Sequence, residues 1–387
     1  MAKTYYGVEI ISDIHFGAFN SEILMSELQN NFLNHLRKQM ILHMIVITGD
    51  LFHTKLSLNS SNSKLCFYFI KEIVNIARER NAKIRIVKGT SSHDNDQLEN
   101  LRVFCGKDVD IKIINTVTEE QIYHNLKVLY IPEEYVDTNE HYKDFFNKDN
   151  EYDMIFGHGL IKEAAFCATE QESAITMKKA PVFDIEILLK ICKGPIFFGH
   201  IHIHKVYKNR FFYVGSFSRW TFGEIEDKGY MSCFYSPTDS SFVPLFIKNE
   251  DARSFDTMEL SVKKENHIDI VSWVNDLVDT INNVIIDYMR IKIVINDNME
   301  ESKLLINLIN ETFANNKKVK VTIVNKTEAI KQKESDEKLN LLIEKYGFIF
   351  DSGISYEDKI SKFVKLMYNK DISPDKIKDK IFKKINK

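Results

Sequence analysis

Val8-Glu9-Ile10-Ile11-Ser12-Asp13-Ile14-His15 is an apolar run that ends in an acid and an imidazole. Its β-branched residues read as a strand, and Asp13 and His15, two apart, point the same way from an extended backbone. Four later segments repeat the theme. They are Val46-Ile47-Thr48-Gly49-Asp50-Leu51-Phe52-His53, Ile86-Val87-Lys88-Gly89-Thr90-Ser91-Ser92-His93-Asp94, Ile155-Phe156-Gly157-His158-Gly159, and Phe197-Phe198-Gly199-His200-Ile201-His202. Glycine precedes the functional residue in four of the five, where a tight turn leaves the strand. Each piece alone carries little information. Together they are hard to obtain from packing, because buried charges and imidazoles are costly without a compensating partner.

Amphipathic stretches at 21–39 and 63–80 separate the early strands, so the first 250 residues read as α/β, with sheets covered by helices. Runs at 211–214, 229–235 and 242–247 predict a mostly antiparallel second sheet. A polar stretch at 248–254 reads as a linker. Beyond it, Trp273, Val274, Leu277, Val278 and Ile281 fall at helical spacing. A strand at 289–295, a helix at 303–313 and a strand at 319–324 follow. The expected division is a main domain over 1–252, a small α/β domain over 253–327, and a linker with C-terminal helices over 328–387, the part at 328–339 a solvated helix or linker. Ser355 with Asp358 resembles a capping box, and Ile360, Phe363, Val364 and Met367 form one apolar face. Ser373-Pro374-Asp375 starts a second helix with Ile377, Ile381 and Ile385 on its face and six lysines from Lys376 to Lys387. Helices this short need a partner for their apolar faces.

The 387 residues exceed what one core usually organises. A hydrophobic share of 44% and a charged share of 28% suit a globular chain. The net charge of -3 excludes a globally basic nucleic-acid binder but leaves room for a local cationic site. No apolar run approaches the ~18 residues of a membrane helix. The start, Met1 to Tyr6, lacks a signal-peptide core, so a cytoplasmic protein with no membrane association is expected. Cys66, Cys105, Cys167, Cys192 and Cys233 are scattered in apolar contexts and read as reduced core thiols.

Mixed carboxylate and imidazole ligands suit Mn²⁺, Fe²⁺ or Zn²⁺ over Ca²⁺. Two such ions about 3.5–4 Å apart clamp the attacking and leaving oxygens of a phosphoryl displacement. Asp50 is the candidate bridge. Asp13, His15 and His202 complete one metal, and His158 and His200 help bind the second. Two divalent ions bring +4 and two aspartates remove 2, which leaves a pocket near +2 that attracts a phosphodiester. His93 is not needed as a ligand and reads as a general acid or phosphate-charge stabiliser.

These motifs resemble the calcineurin-like metallophosphoesterase superfamily, with its Asp-x-His, Gly-Asp, Gly-Asn-His-Asp, Gly-His and Gly-His-x-His pattern. More narrowly, the chain resembles SbcD-type nuclease subunits of bacteria and phages. His53 stands where that family carries a second active-site histidine. Gly215-Ser216, Phe222-Gly223-Glu224 and Lys228-Gly229-Tyr230 match the stretch after its last metal histidines. The resemblance implies a two-sheet sandwich flanked by helices, a small α/β capping domain and a C-terminal helix pair. It implies a Mn²⁺-dependent DNA exonuclease and endonuclease, homodimeric, whose helix pair docks on a coiled-coil ATPase partner. No P-loop occurs in this chain, so ATP binding falls to that partner. A phosphoesterase for a small or protein substrate, or a non-catalytic assembly subunit, are the alternatives. One motif departs from the family: Gly89-Thr90-Ser91-Ser92-His93-Asp94 has two extra residues and no Asn before the histidine. Ser92, Thr90 or a water then stands in for the amide ligand.

Overall fold

A computed structural model describes residues 5–123, 126–136, 138–147, 151–162, 181–262, 269–283, 287–295, 299–316, 318–325, 347–349 and 353–378. The chain forms two units, one of residues 1–256 with 286–288, the other of residues 257–285 with 289–387.

The strands of the first unit begin with β1 (Tyr6–Ile11), β2 (Met44–Thr48), β3 (Lys83–Val87), β4 (Ile111–Ile114), β5 (Thr118–Ile122), β6 (Leu126–Ile131) and β7 (Met154–His158). Two short strands, β8 (Leu160–Ile161) and β9 (Val182–Phe183), pair with each other. Then come β10 (Ile196–Gly199), β11 (Lys205–Tyr207), β12 (Phe211–Tyr213), β13 (Gly229–Ser236) and β14 (Ser241–Lys248). One six-stranded sheet has the order β14-β13-β1-β2-β3-β4, the other β11-β12-β10-β7-β6-β5. The run β1 to β4 is parallel, and so is the run β12, β10, β7, β6.

Side-chain alternation sorts the apolar residues into layers. Val8, Ile10, Val46, Val128, Tyr130, Phe156 and Phe197 meet in a cluster drawn from both sheets. Their neighbours Ile11, Ile45, Ile47 and Ile84 pack against Leu28, Phe32, Phe69 and Ile73, which belong to the helical segments between strands. On the second sheet, Leu129, Ile131, Ile155 and Phe198 pack with Leu188 and Ile191 of the Ile185–Ile191 helix. The result is an α+β sandwich with helices outside both sheets. Burial on both faces explains why these strands read as unbroken apolar runs.

The predicted antiparallel second sheet over 211–247 does not form. β13 pairs antiparallel with β1 and carries β14 with it, whereas β12 lies parallel to β10 in the other sheet. The edge of β1 draws β13 in because Cys233 and Tyr235 then join the inter-sheet cluster. β4 and β5 escape a reading of the sequence because IKII and TEEQI are short and half polar. Cys66, Cys192 and Cys233 are buried, but Cys105 is exposed, in contrast to the expected core thiol. Cys167 lies outside the described residues.

In the second unit a three-stranded sheet has β16 (Tyr288–Ile295) between β15 (Phe255–Val262) and β17 (Val319–Asn325). β16 and β17 are parallel. Ile291, Ile293, Leu305 and Ile309 are buried, the last two on the Met299–Phe313 helix. The Tyr356–Tyr368 helix starts at Ser355, whose hydroxyl accepts from Asp358 N at 3.1 Å, and none of its residues is buried. After it, Ile377 N donates to Ser373 O at 3.3 Å. Ile381, Ile385, the lysines beyond Lys378 and the stretch 328–339 lie outside the described residues. No helix among the described residues is long and apolar enough to cross a membrane.

Candidate metal centre

The motif segments converge because of sheet order. β1, β2 and β3 are adjacent and parallel, as are β10 and β7, so the segments at their C-terminal ends lie together. This is the usual place for a site in a parallel sheet. Asp13 and His15 follow β1, Asp50 follows β2, the 89–94 turn follows β3, His158 ends β7, and His200 and His202 follow β10. Asp13 N donates to Gly49 O at 3.1 Å and His15 N to Asp50 O at 3.0 Å, which ties the first two segments.

The backbone here is strained. Asp13, His15 and Asp50 take φ of 49°, 53° and 50°, and His200 takes 96°. L-residues seldom adopt these angles, and such outliers concentrate at functional sites. Asp13 and His15 are therefore not aimed by an extended strand, in contrast to what their two-residue spacing suggests. Gly49, with φ of 92°, is a true turn glycine. Gly89 serves close approach instead, since a Cβ there would sit 2.2 Å from Asp50 Oδ1.

Overlapping groups of donor atoms result, and Asp13, Asp50 and His158 form a central one. Asp13, His15 and His202 form another. The Nε2 atoms of His15 and His202 lie 3.0 Å apart, and His202 Nε2 is 3.9 Å from Asp13 Oδ1. His158 and His200 form a third, together with Glu133. Asp50 lies 3.9 Å from His15 Nε2 and 3.5 Å from His158 Nε2. His158 Nδ1–H donates to Thr48 O at 2.8 Å, which turns Nε2 toward the carboxylates. His93 Nδ1–H donates to His53 O, leaving Nε2 4.0 Å from Asp50 Oδ2. The rings of His53 and His93 lie 5.3 Å apart, and both belong to a further donor group with His15.

Glu133 is not among the residues that the sequence singles out. It follows β6, a parallel neighbour of β7, by way of Pro132. Its signal is weaker than elsewhere, since Pro132 separates it from the apolar strand and Glu134 follows it. Ser92, by contrast, is exposed, and of the two hydroxyl residues expected to stand in for the amide Thr90 is the one that reaches the centre. Glu224 stands in the motif after the last histidines, and the structure gives it a task. Its Oε1 lies 3.5 Å from His202 Nδ1 and its Oε2 2.8 Å from the buried Lys228 Nζ. Burial favours its protonated form, yet His202 and Lys228 hold its carboxyl down at about 2. It orients the imidazole as carboxylates behind metal-binding histidines do.

The donor set fits divalent cations. Asp13, Asp50 and Glu133 are almost wholly buried, and among the described residues no lysine or arginine pairs with them. Burial drives His15 well below the usual imidazole value, outweighing Asp50, so its lone pair is available. Burial acts on His158 too, but Asp50, Asp13 and Glu133 push it well above that value. Buried carboxylates whose ion-pair partners among the described residues are imidazoles leave the pocket short of positive charge. With Glu133 counted beside Asp13 and Asp50, two divalent ions would leave the pocket near +1.

No protein-family model matches the chain, and no curated protein matches it. Among solved structures, that of TT1561 from Thermus thermophilus is similar at 11% identity and a TM-score of 0.35, covering 63% of this chain and 99% of that one. Another is similar at 10% identity and a TM-score of 0.37, with the same shares covered.

Proposed function

We propose that this chain is a divalent-metal-dependent phosphodiesterase of the metallophosphoesterase type. The observation that carries the reading is the pair of donor groups on either side of Asp50, assembled from separate strand ends of both sheets. Two divalent ions, Mn²⁺ by the character of the donors, supply charge neutralisation and an activated water when bound. Asp13, His15 and His202 would hold one ion, His158 and His200 would help hold the other, and Asp50 would serve both. His93 keeps Nδ1 engaged on His53 O, so a second proton on the ring sits on Nε2, facing the site. From there it can be given to a leaving oxygen. Glu224 and Lys228 fix His202.

The substrate in this reading is duplex DNA, and the chain is the nuclease subunit beside a coiled-coil ATPase. The motif order and His53 support that assignment, as does the Tyr356–Tyr368 helix. Its Ile360 and Phe363 are 40% and 37% exposed, as a face that docks in a partner's groove needs to be. Mn²⁺-dependent cleavage of linear duplex, compared with bis-nitrophenyl phosphate, tests the reading. Cleavage of the small ester without DNA cleavage removes the nuclease assignment, and no cleavage of either removes the enzyme. Truncation after Gly353 should leave cleavage of short DNA unchanged and abolish co-purification with the ATPase. Retained co-purification would place the partner surface elsewhere.

A further inference from the structure

The family pattern gives the second metal an amide ligand from the turn after β3. In this chain that turn offers no amide. Thr90 Oγ1 lies 3.3 Å from Asp50 Oδ2, 3.4 Å from Glu133 Oε2, 3.4 Å from His158 Nε2 and 3.5 Å from His200 Nδ1. One hydroxyl hydrogen cannot satisfy four partners, and all four distances are at the long end of hydrogen bonding. The hydroxyl can donate to only one of the two carboxylates, so the other receives no hydrogen bond from it.

Glu133 is built to point at the same place. Its backbone N donates to Lys88 O at 3.1 Å, which pins it to the end of β3. Its Oε1 accepts from the Tyr135 hydroxyl at 2.7 Å. The other oxygen, Oε2, is left 3.2 Å from His200 Nδ1 and 3.9 Å from His158 Nε2. The side chain is fully buried. A carboxylate so placed is costly unless a cation compensates it, and among the described residues its ion-pair partners are those two imidazoles.

We infer that Glu133 is a metal ligand, a carboxylate from the second sheet that replaces the missing amide from the first, and that Tyr135 positions it. The inference rests on the two-metal reading above. A carboxylate carries charge where an amide carries none, so the second ion is held more tightly and the centre keeps a net charge nearer +1.

Equilibrium dialysis against Mn²⁺, with the bound metal counted and the coupled-manganese EPR signal recorded, tests this on the full chain. Wild type should bind two ions and show the coupled signal. Glu133→Ala should bind one and lose it. Tyr135→Phe changes a partly exposed residue, so it keeps the question answerable if the alanine variant does not fold. It should keep two ions but weaken the second by about 10–100-fold, the usual effect of removing a hydrogen bond behind a ligand. Glu133→Ala and Tyr135→Phe proteins that both bind two ions at wild-type affinity would overturn the ligand assignment while leaving the phosphoesterase intact. A wild-type protein that binds no Mn²⁺ would overturn both.

Discussion

Two places in the first unit bury charge and neutralise it differently. Arg85 of β3 is completely buried, and its guanidinium meets Glu120 with Nε and Nη2 both at 2.7 Å. Its Nη1 reaches Asp110 Oδ1 at 3.0 Å. Here a permanent cation meets a carboxylate in a bidentate arrangement, which fixes structure. At the candidate metal centre, Asp13, Asp50 and Glu133 are as deeply buried, but face imidazoles. An imidazole can give up its proton to admit another cation, whereas a guanidinium cannot. The contrast separates charge that holds the sandwich together from charge kept available for a ligand.

The largest expected effect bears on the second kind. Asp50→Ala removes the carboxylate that lies within 4 Å of an imidazole of each donor group. It should bring Mn²⁺-dependent cleavage to background in a protein whose circular dichroism is unchanged. Normal turnover by that protein would break the two-metal assignment. His93→Ala should lower the rate by about 10²–10⁴-fold with metal content kept. A parallel loss of metal would make His93 a ligand.

The Arg85 cluster should answer to stability and not to metal. Glu120→Ala leaves Arg85 with one carboxylate partner fewer and should cost about 3 kcal/mol in denaturant unfolding, with or without Mn²⁺. Burial alone would raise the Glu120 pKa, but Arg85 and Lys112 hold it below its ordinary value. A depressed folded-state pKa contributes stability that is full above the unfolded value, near 4.5, and is lost as pH falls through the lower folded value. Wild type should therefore lose stability below about pH 4.5 more steeply than Glu120→Gln. Equal acid profiles would show that the pair does not act as described.

A smaller effect distinguishes two glycines. Gly89→Ala places a methyl 2.2 Å from Asp50 Oδ1 and 2.3 Å from its backbone N. It should cost about 1–3 kcal/mol and weaken metal binding through Asp50. Gly106 has nothing within 4 Å of the same added atom, so Gly106→Ala should leave both stability and metal binding nearly unchanged.

The strand ends at Asp13, Asp50, His158 and His200 are legible in the sequence because an apolar run that stops at an acid or imidazole is a local pattern. The layers are legible for a related reason: strands buried on both faces are written as unbroken apolar residues. Glu133 is not legible, since one glutamate after Ile131-Pro132 looks like any loop acid until β6 lies beside β7. The position of Thr90 rather than Ser92 also depends on how the 89–94 turn folds. The same holds for β13, which could pair with β12 or β1 on sequence alone, and for the left-handed backbone at Asp13, His15 and Asp50. Local sequence determined which residues end strands and with what chemistry. Only the tertiary structure decided which strand ends are neighbours, because pairing between strands far apart in the chain is set by what each edge can bury.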